Sequence, residues 1–253
     1  MTAETRGPLS VVAVGAHMDD CYLGMGGAAI RAARSGHRVT LVQAVSSYGA
    51  WPTVAGREAE IKPVLQQLAG RAGVSVISLG HDYQRLENGV ALVDQLSCVL
   101  AELKPDVLFC HHPVDTNQDH VALGQATPVA AMHGACFVGP GFHVPDEIYR
   151  FTTGTQTLEF EPNTYLDVGA SIADVLEILG AIDAIYAKES GESPVRITVA
   201  GPDLDQRTIS LTAHALDKFA LCVTYGFRCG VGYAEAFASY PSRPPGPNLL
   251  DRL

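Results

Sequence analysis

The chain has no C-x-x-C pair, no internal repeat, and no apolar run near the roughly 18 residues that a membrane span needs. It is poor in basic residues, with 17 Lys and Arg against 27 Asp and Glu and a formal net charge of −10. That balance argues against nucleic acid or an anionic membrane surface as a partner, while leaving room for a local basic pocket. The opening MTAETRGPLS lacks the apolar stretch of a signal peptide. Six scattered cysteines, several of them in apolar patterns, suit reduced thiols and a cytoplasmic location. What the chain does have is an ordinary globular composition, 47% hydrophobic and 17% charged over 253 residues, enough for one large α/β domain.

Apolar β-branched runs alternate with helical patterns through the first half. Strands are expected at 11–14, 38–45, 74–79 and 107–110. Helices are expected at 26–35, 57–72 (with Pro63 kinking it or delaying its start), 90–103, and from about His120. This alternation predicts a Rossmann-like, mostly parallel sheet with helices on both faces, a single domain with a C-terminal extension. The regular β/α core is expected over 1–133 and additional strands and helices over 134–240, ending in a Pro-rich tail at 241–253. Within the extension, strands are expected at 147–153 and 157–160, and a helix at 172–187 with Ser171 as its N-cap. Residues 188–206 read as loop, and 207–224 as a further helix.

The most informative stretch is Gly15-Ala16-His17-Met18-Asp19-Asp20-Cys21, directly after the first strand. Open α/β sheets bind ligands at the carboxyl ends of their strands. His17 and Asp20, three residues apart, can aim at one point and leave Asp19 beside it as a spare carboxylate, a pattern that suits a catalytic zinc site with a neighbouring base. Blander readings stand beside it: either aspartate caps the following helix, or His17 is a satisfied strand-end histidine. A third makes Gly24, Gly26 and Gly27 a phosphate cradle, although they fall late after the strand. The fourth strand leads into a second polar loop, from His111 to His120. A His at the opening of the next helix completes a two-His, one-carboxylate set, against the reading that Asp119 merely caps that helix.

These residues resemble the PIG-L/LmbE family of zinc-dependent N-acetylglucosaminyl deacetylases. Ala16 to Cys21 matches its A-H-P-D-D-E motif and Asn117-Gln118-Asp119-His120 its H-P-D-H motif. Arg57 to Glu60, Asp82 and the closing FRCGVGYAEAF extend the likeness. The resemblance implies one Zn²⁺ per chain on His17, Asp20 and His120, with Asp19 as general base. It places Arg57 and Asp82 on sugar hydroxyls and implies a small-molecule GlcNAc conjugate as substrate, with a homo-oligomer plausible. Three departures stand out: Met18 for proline, Cys21 for glutamate, and Asn117 where the family has a histidine. Asparagine can donate a hydrogen bond to an oxyanion but cannot deliver a proton, and His111 or His112 is available in the same loop to compensate. The competing expectation is a family member that has lost catalysis and only binds metal or sugar.

Overall fold

In the computed structural model, residues 7–186, 195–200, 206–211, 213–240 and 253 are described. The first half follows the expected alternation: β1 (Ser10–Gly15), α1 (Asp20–Arg34), β2 (Arg38–Ser47), α2 (Glu58–Ala72), β3 (Ser75–Asp82), α3 (Val90–Leu103), β4 (Val107–His111) and α4 (Gln118–His133). The chain continues with α5 (Ala135–Val138), β5 (Glu147–Phe151), β6 (Thr164–Asp167), α6 (Ile172–Tyr186), β7 (Val195–Ala200), β8 (Gln206–Leu211), α7 (Ala213–Cys229) and β9 (Ala234–Ser239).

One seven-stranded sheet runs β3-β2-β1-β4-β5-β9-β6, and β7 and β8 form a separate hairpin. The five strands from β3 to β5 are parallel, and β9 lies antiparallel between β5 and β6. Helices α1, α2, α6 and α7 pack together on one face, and α3, α4 and α5 on the other. Among the described residues no helix is long and apolar enough to cross a membrane. The first strand reads as buried on every residue because it is central and covered on both faces.

Several expectations are corrected. Helix α1 starts at Asp20 rather than near Gly26, in two pieces that meet at Met25 (φ −145°, ψ 25°). The second piece is the expected one, and the Glu235 carboxylate accepts its first amides, from Gly27 (2.7 Å) and Ala28 (2.8 Å). Gly36, at φ +85°, closes the helix, its amide donating to the Ala33 carbonyl. Helix α2 passes through Pro63 unbroken; Pro63 and Ala59, whose carbonyl loses its partner, are both exposed, so water can serve that carbonyl. No strand forms at 157–160, where only Thr157 bridges to Asp115. Residues 206–211 are strand β8, so α7 starts at Ala213. Within the loop expected at 188–206, residues 195–200 form β7, while 187–194 and 201–205 lie outside the described residues, as does the Pro-rich tail except Leu253. Ser171 turns its hydroxyl to the carbonyls of Gly27 (2.9 Å) and Val168 (3.2 Å), tying α6 to α1.

Candidate active site

Between β1 and β4 the order of the sheet reverses, because β2 and β3 lie to one side and β5 to the other. Such a switch point opens a crevice at the carboxyl ends of the strands. The turn after β1 brings His17, Asp19 and Asp20 there, and the loop after β4 brings Asp115 to His120.

His17, Asp20 and His120 each offer one ligand atom, all within 4.8 Å of one another, and all three residues are buried. His17 Nδ1 lies 3.3 Å from Asp20 Oδ2 and 3.3 Å from His120 Nε2, which is itself 3.3 Å from Asp20 Oδ1. The outer ring nitrogens are held by carboxylates. His17 Nε2 is 3.1 Å from Asp119 Oδ2, and His120 Nδ1 is 3.2 Å from Asp115 Oδ1. Asp119 also accepts from the amides of Gln84 (2.7 Å) and Leu86 (3.1 Å), so it acts as an acceptor and leaves Nε2 of His17 as a donor. Asp115 accepts from the Asn117 amide (2.8 Å) and Thr157 Oγ1 (2.9 Å). Both imidazoles are thus fixed by carboxylates with their inner nitrogens aimed at one point, as metal-ligating histidines are. A buried set of two histidine nitrogens and one carboxylate fits a divalent ion, zinc above all.

The electrostatics agree with that fit. Burial disfavours charge on His17, but Asp20 and Asp119 outweigh it and raise its pKa to about 9. Burial likewise opposes charge on His120, and Asp20 and Asp115 overcome it, raising the pKa to about 10. Asp20 is held well below the usual carboxylate range: burial pushes it up, and His120, His17 and His111 pull it further down. His111 differs. Burial and the neighbouring His120 lower its pKa to about 4, its Nε2 accepts the Ala16 amide at 3.0 Å, and its ring stacks on His120 at 4.2 Å.

Asp19 lies beside the three-residue cluster but outside it. Its Oδ1 accepts from Tyr186 Oη (3.0 Å), and its Oδ2 lies 3.4 Å from His214 Nε2. Burial and the adjacent Asp20 raise its pKa. A cavity of about 100 Å³ faces these groups, lined among others by Leu23, Trp51, Tyr83, Asn117, Thr153, Thr155, Gln156, His214 and Asp217. Trp51 stacks on Tyr186 with centroids 4.7 Å apart and packs on Tyr83 at 5.1 Å, so aromatic rings form one wall.

The structure therefore brings together His17, Asp19, Asp20, Asn117 and His120. Neither Asp19 nor Asp20 caps α1 through its side chain, and Asn117, not Asp119, caps α4, its Oδ1 accepting the Asp119 amide at 2.9 Å. The glycines serve packing rather than a phosphate: a Cβ on Gly24 would meet Phe151 at 2.2 Å, and one on Gly27 would meet Val168 at 2.6 Å. Arg57 and Asp82 do not line the cavity. Arg57 Nη1 holds the carbonyls of Thr53 (3.0 Å) and Ile185 (2.9 Å), and Asp82 ends β3. His112 packs against Phe160 at 5.5 Å and, like His111, stands outside the lining. Cys21 is buried, its thiol pushed well up by burial and the two aspartates, so it stays a protonated, inert group. Sequence reasoning missed Trp51, Tyr83, Tyr186 and His214, for which no local motif gives a signal.

Residues 12–131 match the family model PIG-L, described as GlcNAc-PI de-N-acetylase. Over these residues the chain is similar to the PIG-L family. The match runs from within β1 to near the end of α4 and so contains both segments that supply His17, Asp20 and His120. A search of curated protein sequences found no significant match. Among solved structures, the fold is similar to the conserved protein TT1542 of Thermus thermophilus (TM-score 0.74, 19% identity, covering 95% of this chain and 98% of that one). It is also similar to N,N′-diacetylchitobiose deacetylase of Pyrococcus horikoshii (0.68, 20%, 91% and 83%). A third likeness is to GalB, the 4-carboxy-2-hydroxymuconate hydratase of Pseudomonas putida KT2440 (0.70, 18%, 94% and 99%). These likenesses establish the fold of the chain and no more. A deacetylase and a hydratase both use it, so the reaction must be argued from the site.

Proposed function

We propose that the protein is a zinc-dependent amide hydrolase that removes an acetyl or similar short acyl group from the N-acetyl amide of a GlcNAc-containing small molecule. One observation carries this reading: a buried carboxylate, Asp19, stands beside a three-donor cluster with both facing the same small cavity. A zinc ion held by His17, Asp20 and His120 would supply Lewis acidity for the acyl carbonyl and make a water molecule acidic near neutral pH.

The chain's own groups do the rest. Asp19, its basicity raised by burial and by Asp20, takes the proton of the attacking water. Tyr186 donates to the other oxygen of that carboxylate and fixes its orientation. Asn117 commits Oδ1 to the helix cap, which leaves its NH₂ as the donor for negative charge developing on the acyl oxygen. Trp51 and Tyr83 give the wall an apolar surface suited to the face of a sugar ring. Arg57 and Asp82 support that wall: Arg57 ties the segment after Trp51 to α6, and Asp82 precedes Tyr83.

The test is metal analysis of purified protein followed by acetate release from a panel of GlcNAc conjugates. Wild type should bind one zinc and release acetate, and Asp19→Asn should keep the zinc while losing about 10²- to 10⁴-fold in turnover. A protein that holds zinc and sugar yet releases no acyl group would instead be the non-catalytic binder.

A further inference from the structure

We propose that His214, anchored by Asp183, is the second proton-transfer residue of this site, handing a proton to the departing amine and regaining one from Asp19. The proposal rests on the N-deacylase reading above. His214 sits in the first turn of α7 and lines the cavity next to Asp19. Its Nδ1 lies 2.5 Å from Asp183 Oδ1, and its Nε2 lies 3.4 Å from Asp19 Oδ2. Asp183, on α6, is 3% exposed, and its second oxygen accepts the Ala215 amide at 3.3 Å, so the carboxylate that holds the ring is itself held. The Tyr186 ring meets the imidazole edge-on at 5.4 Å while its hydroxyl bonds Asp19, so α6 and α7 together frame both proton carriers.

The other histidines near the site are otherwise engaged. His17 and His120 belong to the ligand set, His111 accepts the Ala16 amide, and His112 packs on Phe160. Asn117 has no transferable proton. Among the described residues lining the cavity, His214 is the imidazole outside the ligand set.

The protons balance. Asp19 takes a proton as the water oxygen bonds to the acyl carbon. When the C–N bond breaks, the amine nitrogen takes the Nε2 proton of imidazolium His214. The neutral imidazole then recovers the proton held by Asp19 across their contact, so amide plus water gives amine plus acid with both residues restored. The charged groups facing His214 favour its loaded form: burial opposes charge, but Asp183 and Asp19, with Asp20 beyond, outweigh it and raise its pKa to about 9. Asp217, on the same helix, also lines the cavity.

The test has two arms. In metal-free protein, nitrogen NMR should show His214 titrating well above the ordinary ~6.5 and falling toward that value in Asp183→Asn. In the zinc-loaded enzyme, His214→Gln should keep its zinc and its KM while kcat falls about 10²- to 10⁴-fold. Turnover of His214→Gln within twofold of wild type, or a His214 that titrates near the ordinary value in both proteins, overturns the proposal. An active wild type with an indifferent His214→Gln removes the relay and leaves the deacylase reading standing. A wild type that binds zinc but releases no acyl group sinks both.

Discussion

Asp119 is the residue whose alteration tests the architecture of the site most directly. It is fully buried and accepts three hydrogen bonds, from His17 Nε2 and from the amides of Gln84 and Leu86. Asp119→Asn preserves its size but leaves one acceptor oxygen. If that oxygen serves His17 and Gln84, the new NH₂ faces the Leu86 amide and buries two donors against each other. A buried donor left unsatisfied costs about 1–3 kcal/mol, so the metal-free protein should lose about that much stability. Losing a carboxylate that orients a ligand histidine commonly costs about 10- to 100-fold in metal affinity, equivalent to about 1.4–2.8 kcal/mol. The pH dependence has a definite sign. Burial pushes the Asp119 pKa up, but the His17 bond and the two amides pull it below the usual range. Its contribution to stability is therefore present above the unfolded value of about 4 and fades as pH falls through the lower folded value. Chelator competition gives the affinity, and thermal unfolding of metal-free protein at a series of pH values gives the stability. Zinc affinity within twofold of wild type, together with unchanged stability at neutral pH, would refute the arrangement.

Other perturbations follow from the same geometry. Because His17 and His120 titrate near 9 and 10 without metal and must bind it as neutral rings, zinc uptake at pH 7 should release between one and two protons and tighten as pH rises. Calorimetry in buffers of different ionisation enthalpy measures this, and a binding heat independent of the buffer would contradict it. Asn117→Ala should cost about 1 kcal/mol through the lost cap and lower kcat by about 10²- to 10³-fold; a loss of stability with intact kcat would leave Asn117 a cap alone. Glu235→Ala strands the Lys218 ammonium, whose remaining hydrogen bond is to the Leu23 carbonyl, and frees the amides of Gly27 and Ala28. Stability should fall by about 3–5 kcal/mol in denaturant unfolding, and a loss under 1 kcal/mol would show that the pair is not buried as described.

The amino-acid sequence by itself determined the parallel half of the sheet and picked out the three residues that cluster at its switch point, His17, Asp20 and His120. Both are local signals: β-branched runs mark strands covered on two faces, and His17, Asp20 and His120 lie in two short polar segments that each follow a strand. The glycines after His17 were ambiguous in sequence, and only the contact of α1 with Phe151 and Val168 made them packing residues. The antiparallel end of the sheet was not legible. β6 is four residues long and pairs with a strand some 70 positions away, so neither has enough periodicity of its own to announce it. The β7–β8 hairpin was misread for the same reason, its second strand running almost directly into α7. His214, Tyr186 and Asp183 belong to the site only because α6 and α7 pack against each other beside α1 and turn those side chains toward Asp19. A ligand triad can be written in two short segments because a strand end fixes its direction. Asp19 comes with the first of those segments, but His214 and the groups that hold it arrive from helices far along the chain, and their place is set by packing between surfaces, which no local spacing encodes.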